Sequence, residues 1–472
     1  MYKFLPALLL FSSSVFSQNY IVDESFYQGD GLTILTEVTS ILELPDNKLF
    51  VSSKGYTSYN NMGPLKFFVV DENGNYSSTF SCNTCLYPGE VRHSLLAEDK
   101  IIIVGNFSSY DGVERKIIAK LNLDGSLDTS FYADVFSPES LGYNVSKIAL
   151  YETNTPIYYP KIYISGWFVG DNFQPLANPL LRLNFNGSLD TSFNLDASLA
   201  DSVVRSFTLL DDGKILLYSN TAGLVRINND GSIDETFVSD VSPYLGVRSM
   251  EVLEDGKILL AGEFYFGQQK YILLRFNADG TLDESFPLWD YSSSETSSYA
   301  STLLKHVNGI YLSGHFNSFY DSSLDDFVLL NSDGTLNTNF NMGGVSNNFG
   351  YDDSYVSAIL PLSSGKIIIG GKFSYVNDDV NKSLARIQPE NMSVNEFYNK
   401  SNLSVYTQHE TTYFNSINNI ISKIEFYDIS GRLIDSAIVN SDVYSCTLPN
   451  NSLILYRIFL NDGAILTGKV IR

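Results

Sequence analysis

The chain has 472 residues, of which 44% are hydrophobic and 14% aromatic, led by 31 Phe and 31 Tyr, so a large core is expected and general disorder is excluded. Its 53 acidic and 30 basic residues give a formal charge of −23, a surface that repels nucleic acid and anionic lipid. The four histidines form no H-x-x-H or H-E-x-x-H group, which argues against a zinc or copper site.

Residues 1–17 carry one lysine, Lys3, then an apolar run from Phe4 to Phe11 and small residues up to Ser17. This pattern reads as a signal peptide cleaved after Ser17. The apolar run is too short to span a bilayer, no cysteine sits at the cleavage point to mark a lipoprotein, and no later segment reads as transmembrane.

From residue 18 to 389 one pattern recurs. Asn277 to Phe286 reads N-A-D-G-T-L-D-E-S-F, and related windows close on Phe80, Phe131, Phe193, Phe237 and Phe340. Their turn glycines, Gly74, Gly125, Gly187, Gly231, Gly280 and Gly334, recur with a period of roughly fifty residues, as propellers and arrays do. A hairpin precedes each turn. In Val247 to Phe264 its turn is Asp255–Gly256, and equivalents centre on Lys48, Lys100, Lys161, Lys214, Gly309 and Lys366. Asp-Gly between alternating apolar residues predicts a type I′ turn with both residues at positive φ. One unit thus predicts four strands, Val247 to Leu253, Lys257 to Glu263, Tyr271 to Asn277 and Thr281 to Phe286, the content of one blade.

Asp23 to Phe26 matches Asp283 to Phe286 with no hairpin before it. The N-terminal strand is therefore expected to complete the last blade and remove an exposed edge. Seven closing phenylalanines, with Phe26 included, against seven hairpins predict an all-β, seven-bladed propeller of four-stranded blades; eight blades remain open if the final stretch pairs on its own. Each closing phenylalanine is expected to fill the wedge between adjacent blades. Cys82 and Cys85 form a C-x-x-C in the loop after Phe80, read as a local disulfide in an exported protein because no thioredoxin-like context surrounds it. Cys446 is left over and reads as buried and unpaired.

Residues 390–401 form a polar linker, and 402–472 read as a small β-sandwich of alternating strands. Beyond Tyr398 six acidic and six basic side chains balance, so the charge excess lies in the propeller.

Two resemblances follow from these motifs. The tail resembles the C-terminal sorting domain of the type IX secretion system of Bacteroidota: Phe426, Tyr427, Asp428, Gly431 and Arg432 match its I-Y-D-x-x-G-R strand, and Lys469 to Arg472 its terminal K-x-I-K-like run. The usual Y-P-N-P is replaced by Tyr406-Thr407-Gln408-His409, and the G-I-Y by Ile454-Leu455-Tyr456. This resemblance implies the type IX machinery as a partner and a secreted or outer-surface location. The repeats resemble the delta-60 family of propellers, N-x-D-G-S-L-D-x-S-F, nearly letter for letter at Asn122 to Phe131 and Asn184 to Phe193. That family implies an exported propeller and brings no catalytic residues.

The repeated Asn277, Asp279 and Asp283 approach the spacing of a calcium loop but lack its first carboxylate. Turn chemistry explains them without an ion, Asp283 bonding nearby backbone N–H groups, and calcium is the alternative; no cofactor is required. No G-x-S-x-G elbow, Walker loop or dinucleotide fingerprint is present, whereas carboxylates for glycoside hydrolysis could come from distant repeats and leave no local motif.

In this arrangement both short turns of each unit project from one end, and the variable connections from the other. Those connections, Gly55 to Gly63, Tyr132 to Tyr143, Gly170 to Asn178, Pro287 to Tyr299 and Asn341 to Asp353, carry Tyr56, Tyr59, Trp289, Tyr291, Phe349 and Tyr351, where recognition is expected to concentrate. Five repeats also share a G-x-F whose middle residue is Asn106, Trp167, Glu263, His315 or Lys372. These either ring a binding face or are solvated strand ends. The expectation is a monomeric, non-enzymatic binding or adhesion module for carbohydrate or protein; the alternatives are a carbohydrate-active enzyme and a structural subunit of a surface complex.

Overall fold

The computed structural model describes residues 18–471 except 27–30, 33–35, 61, 79, 81–85, 137–142, 152–159, 169–177, 201, 240, 243–244, 267–268, 287–297, 317–325, 348–353, 378, 391–402, 409–410, 417–419, 429–431, 449–452 and 462–464. The signal-peptide reading, Cys82, Cys85, Trp289, Tyr291, Phe349, Tyr351 and Gly431 lie outside the described residues. The chain divides into two compact units, Met1–Pro389 and Glu390–Arg472.

In the first unit the described residues form seven successive sheets, antiparallel but for a short parallel pairing of Gln18 and Asn19 with Phe340 and Asn341 in the seventh, and one small further sheet of Val345–Ser346, Tyr375–Val376 and Asp379–Val380. The first strands of the seven are Val38–Leu44, Leu86–Ala97, Tyr143–Tyr151, Val204–Leu209, Gly246–Val252, Tyr299–His306 and Tyr355–Pro361. Each first strand lies beside the first strand of the next sheet, and those of sheets seven and one also meet, so the succession closes on itself. In sheet five, Gly246–Val252 pairs with Ile258–Phe266, which pairs with Gln269–Phe276. The fourth strand expected from Thr281 is a single bridge, Phe276 to Leu282. Beyond it the chain turns, with Phe286 N–H bonded to Asp283 O (3.0 Å), because the aspartate side chain caps this turn.

The Asp255–Gly256 hairpin turn also differs from the expected type I′. Gly256 takes positive φ (82°) whereas Asp255 does not. The bonds Leu253 N–H to Lys257 O (2.8 Å) and Gly256 N–H to Leu253 O (3.0 Å) define a three-residue loop with one left-handed glycine, the type I turn with a bulge. Asn277 to Thr281 closes in the same way, so both turns of this unit share one geometry and leave the same end of the sheet.

Seven apolar clusters lie between successive sheets, and each holds one closing phenylalanine: Phe80, Phe131, Phe193, Phe237, Phe286 and Phe340 from the first junction to the sixth, and Phe26 between sheets seven and one. The strand Gln18–Val22 pairs antiparallel with Leu384–Pro389 of sheet seven. The following turn brings Asp23 to Lys366 and Arg386, both at 2.6 Å.

That carboxylate shows what the recurring aspartate does. Arg182–Asp190, Arg226–Asp234 and Arg275–Asp283 repeat the pair at 2.7–2.8 Å, and each arginine also lies over the closing phenylalanine ring, Arg275 at 4.4 Å from the centroid of Phe286. The aspartate's other oxygen accepts from the serine or threonine two residues on, as Asp283 does from Ser285 N–H (3.0 Å). The arginine then reaches the next sheet's turn, Arg275 to Asp333 O at 2.5 Å. Backbone capping was expected for Asp283; the buried ion pair was not.

Burial alone would raise the Asp23 carboxyl, but the bonds from Lys366, Ser25 and Arg386 outweigh it and hold it at about 2. A carboxyl depressed in the fold contributes stability above its unfolded value that is lost as pH falls through the folded one. Asp23 should therefore help hold sheet seven closed down to about pH 4 and release it towards pH 2; an Asp23→Asn chain should show a shallower loss of melting temperature across that window.

In the second unit Leu403–Gln408, Thr411–Ser416 and Val443–Cys446 form one sheet, and Leu433–Ser441, Ile421–Tyr427, Leu453–Leu460 and Ile465–Ile471 the other. They share a core that includes Phe414, Ile424, Phe426 and Ile458. Cys446 is half-buried rather than buried, and its thiol is free; burial, then the nearby Asp435 carboxylate, push it up to about 11.

Candidate functional site

Opposite the turns, each of the seven sheets carries a β-bulge in its first strand, where one extra residue faces the second strand. The extra residues are Thr39, Arg92, Ser146, Arg205, Arg248, Ser301 and Ser357. A bulge bends the strand and re-aims a side chain.

Three of the short hydroxyls stitch one sheet to the next. Thr39 Oγ1 donates to Val91 O (2.7 Å), Ser301 Oγ to Val356 O (3.4 Å) and Ser357 Oγ to Val38 O (2.6 Å). An arginine is too long for that contact. Arg92 instead pairs with Glu90 (2.9 Å) and donates to Asn144 Oδ1 (2.7 Å). Arg248 lies 4.0 Å from the ring centroid of Tyr299 on the next sheet, and Arg205 is exposed.

The bulge also accounts for the glycine of G-x-F. A Cβ on Gly105, Gly166, Gly262, Gly314 or Gly371 would sit 2.0–2.3 Å from the carbonyl oxygen of Glu90, Asn144, Gly246, Tyr299 or Tyr355 across the bulge. Backbone on both sides leaves no room to relax. Gly314→Ala, which places its methyl 2.2 Å from Tyr299 O, should lower the melting temperature by several degrees, consistent with the roughly 1–3 kcal/mol or more of overpacking; an unaltered melt would show that the first strand of sheet six is not bulged.

The middle residue of G-x-F stands opposite the first strand just before the bulge: Trp167 opposite Asn144, Glu263 opposite Gly246, His315 opposite Tyr299 and Lys372 opposite Tyr355. Their fates differ. Trp167 is 42% exposed. Glu263 accepts from Lys270 (2.8 Å) and from the hydroxyl of Tyr265 (2.5 Å), a tyrosine that is itself 55% exposed. Burial would raise the Glu263 carboxyl, yet these two bonds hold it below its usual value. His315, expected to face a ligand, is 5% exposed and bonds Ser354 O through Nδ1 (2.7 Å), so it joins sheets six and seven. Lys372 is partly buried. Tyr59, expected in an exposed loop, is wholly buried and donates to Gly74 O (2.6 Å).

Tyr299 and Tyr355 lie 6.3 Å apart, and Tyr299 is 6.1 Å from His315. The rim of sheets five to seven thus carries a run of Arg248, Tyr299 and Tyr355 that motif reasoning missed. The signal for it was present: a valine or alanine, a variable residue and a mostly small one begin each first strand, as in Val204-Arg205-Ser206 and Val247-Arg248-Ser249.

Further along the first strands, protein surrounds three titratable side chains that solvent still partly reaches. Burial, then Lys147 and Arg92, push His93 down to about 4, so it is neutral at pH 7. Burial lowers Lys147, partly offset by Glu251; burial raises Glu251 against the pull of Lys147 and Lys305.

On the repeat turns, Asp279 accepts from both Thr281 N–H (3.0 Å) and its hydroxyl (2.7 Å), and no group of three or more metal-ligating side chains occurs among the described residues. In the second unit Asp428 and Arg432 close a turn on each other. Asp428 N–H donates to Arg432 O, and Arg432 N–H and Nε–H to the two Asp428 carboxylate oxygens, each at 3.0 Å. The Tyr427 hydroxyl donates to Glu425 (2.6 Å). Lys469 pairs with Leu455 in the last strand.

Comparison with known proteins gives one family match. The model of the domain of unknown function (DUF5122) beta-propeller matches residues 98–131, 161–193, 210–237, 253–286 and 362–390. No curated protein sequence matches the chain. Among solved structures, the extracellular domain of BT3049 from B. thetaiotaomicron, described as a putative hybrid two component system, is 12% identical with a TM-score of 0.40, covering 96% of this chain and 57% of its own. That of BT4673, described as a putative one component system from the same organism, is 10% identical with a TM-score of 0.41, covering 97% and 58%. YCF48 bound to D1 peptide is 11% identical with a TM-score of 0.43, covering 79% and 97%. The chain therefore spans 57–58% of the length of the first two. The matched repeats, each built as a hairpin, a third strand and a phenylalanine-closed turn, make this chain a β-propeller repeat protein.

Proposed function

We propose that the protein is an exported, non-enzymatic, seven-bladed propeller that binds carbohydrate or protein outside the cell, delivered through type IX secretion by residues 402–472. One observation carries the binding reading. At the bulged rim, equivalent positions hold fixed glycine, phenylalanine and small residues while their neighbours diverge into Trp167, Arg205, Arg248, Glu263 and Lys372, and divergence on a rigid frame is how recognition surfaces are built.

The test is a binding screen of the chain against oligosaccharides, polysaccharides and proteins, with reducing-end release followed in the same wells. Binding without release is expected. Trp167→Ala should weaken a sugar ligand about tenfold without altering the melt, since the indole is 42% exposed; release from a polysaccharide would overturn the non-enzymatic reading.

The Glu251 carboxyl, raised by burial against the pull of Lys147 and Lys305, favours a second reading, a carbohydrate-active enzyme, because burial of this kind is how general-acid carboxyls are tuned to donate a proton to a leaving group. Release abolished by Glu251→Gln would establish it.

A further inference from the structure

Resting on the binding reading, the geometry points to an anionic polysaccharide as the ligand, held on the rim of sheets three to five by Arg205 and Arg248 between the exposed rings of Trp167 and Tyr265.

Arg205 and Arg248 occupy the same bulge position on the neighbouring first strands of sheets four and five. Both are exposed, and among the described residues neither lies within ion-pair distance of a carboxylate, Arg248 acting on Glu263 only as a more distant charge, in a chain where acids outnumber bases 53 to 30. The contrast is Arg92, at the same register on sheet two, which Glu90 neutralises at 2.9 Å. The carboxylate nearest in register to Arg248 is Glu263, and Lys270 and Tyr265 already occupy it. Among the described residues, both guanidinium groups are thus left with donors unspent. Arg248 is also pre-oriented, its guanidinium carbon 4.0 Å from the Tyr299 centroid, and a guanidinium held in this way can offer its edge to a carboxylate or a sulfate in bidentate contact.

The neighbouring second strands carry exposed aromatic rings of the kind on which sugar rings stack, Trp167 on sheet three and Tyr265 on sheet five, at 42% and 55% exposure, with the Lys270 ammonium 5.5 Å from the Tyr265 centroid. Alternating flat apolar faces and charged forks suit a chain of sugar rings bearing acidic groups.

The test measures binding of the chain to alginate and polygalacturonate (carboxylates), dextran sulfate (sulfate esters), neutral dextran and poly-glutamate. Binding to at least one anionic polysaccharide is expected, weakened by added salt, with neither neutral dextran nor poly-glutamate bound comparably; the carboxylate and sulfate arms identify the acidic group. Arg205→Gln and Arg248→Gln should each reduce affinity about tenfold, with unchanged melts because both side chains are exposed, and Arg248→Lys should recover part of the loss. Equal binding of poly-glutamate would replace the polysaccharide with an acidic peptide and overturn the inference. Binding of neutral dextran that responds to Trp167→Ala and not to the arginine variants would overturn it while leaving the binding module intact. Binding of none of the five probes would overturn it too, and a protein ligand found in the wider screen would then be what keeps the binding module standing.

Discussion

Phe286→Ala is expected to cost about 3–5 kcal/mol, the range for truncating a buried phenylalanine, and to lower the melting temperature by several degrees. Phe286 is 2% exposed in a cluster drawn from sheets five and six, with Leu259 and Ile272 on one side and Leu303 and Leu312 on the other. Its removal opens a cavity between two sheets that are each tied to a further neighbour, so neither can shift to fill it. The loss also strips the ring from beneath the Arg275 guanidinium. Phe286→Leu should recover much of the difference. A calorimetric scan in which the alanine variant melts with the parent would show that the wedge between blades is not where this ring does its work.

Asp23→Ala should be of comparable size for a different reason. It leaves two cations, Lys366 and the nearly buried Arg386, facing an empty space, and unpairing a buried charge costs about 3–5 kcal/mol. Arg386 would keep its bonds to Ser25 (2.9 Å) and to Glu72 O, which offset part of the loss. The paired change Asp23→Leu with Arg386→Met should melt above the single Asp23→Ala variant, because it removes the stranded charge as well as its partner. A double variant less stable than the single one would mean that the ion pair itself, rather than the penalty of breaking it, holds sheet seven to its N-terminal strand.

Much of this molecule can be read from its residues because each repeat states its own local rules. Asp255–Gly256 and Asp279–Gly280 mark turns whatever surrounds them, and Phe286 recurs because every junction needs one large apolar ring. Pairing is different. Whether Thr281 to Phe286 extends a sheet or folds away depends on the Asp283 carboxylate finding Arg275, a residue on another strand, and periodicity within a strand carries no such information. The bulge is likewise a relation between two strands, so Gly314 could be seen to be fixed without its cause, the carbonyl of Tyr299, being visible. His315 shows the same limit in reverse. Variability at its register position marked it as a surface residue, yet the contact with Ser354 on the next sheet buries it.

The antiparallel pairing of Gln18–Val22 with Leu384–Pro389 sets how the ring would yield under load. Tyr20 lies opposite Pro389, Ile21 opposite Gln388 and Val22 opposite Ile387, so tension applied between residue 18 and residue 389 draws on the same end of both strands. The backbone bonds would then be loaded one after another and peel, instead of sharing the force as strands sheared lengthwise do. Pulled from residues 18 and 389, this pair would open like a zip, resisted first by the parallel pairing of Gln18 and Asn19 with Phe340 and Asn341 and then by the latch that the Asp23 cluster places behind the third pair.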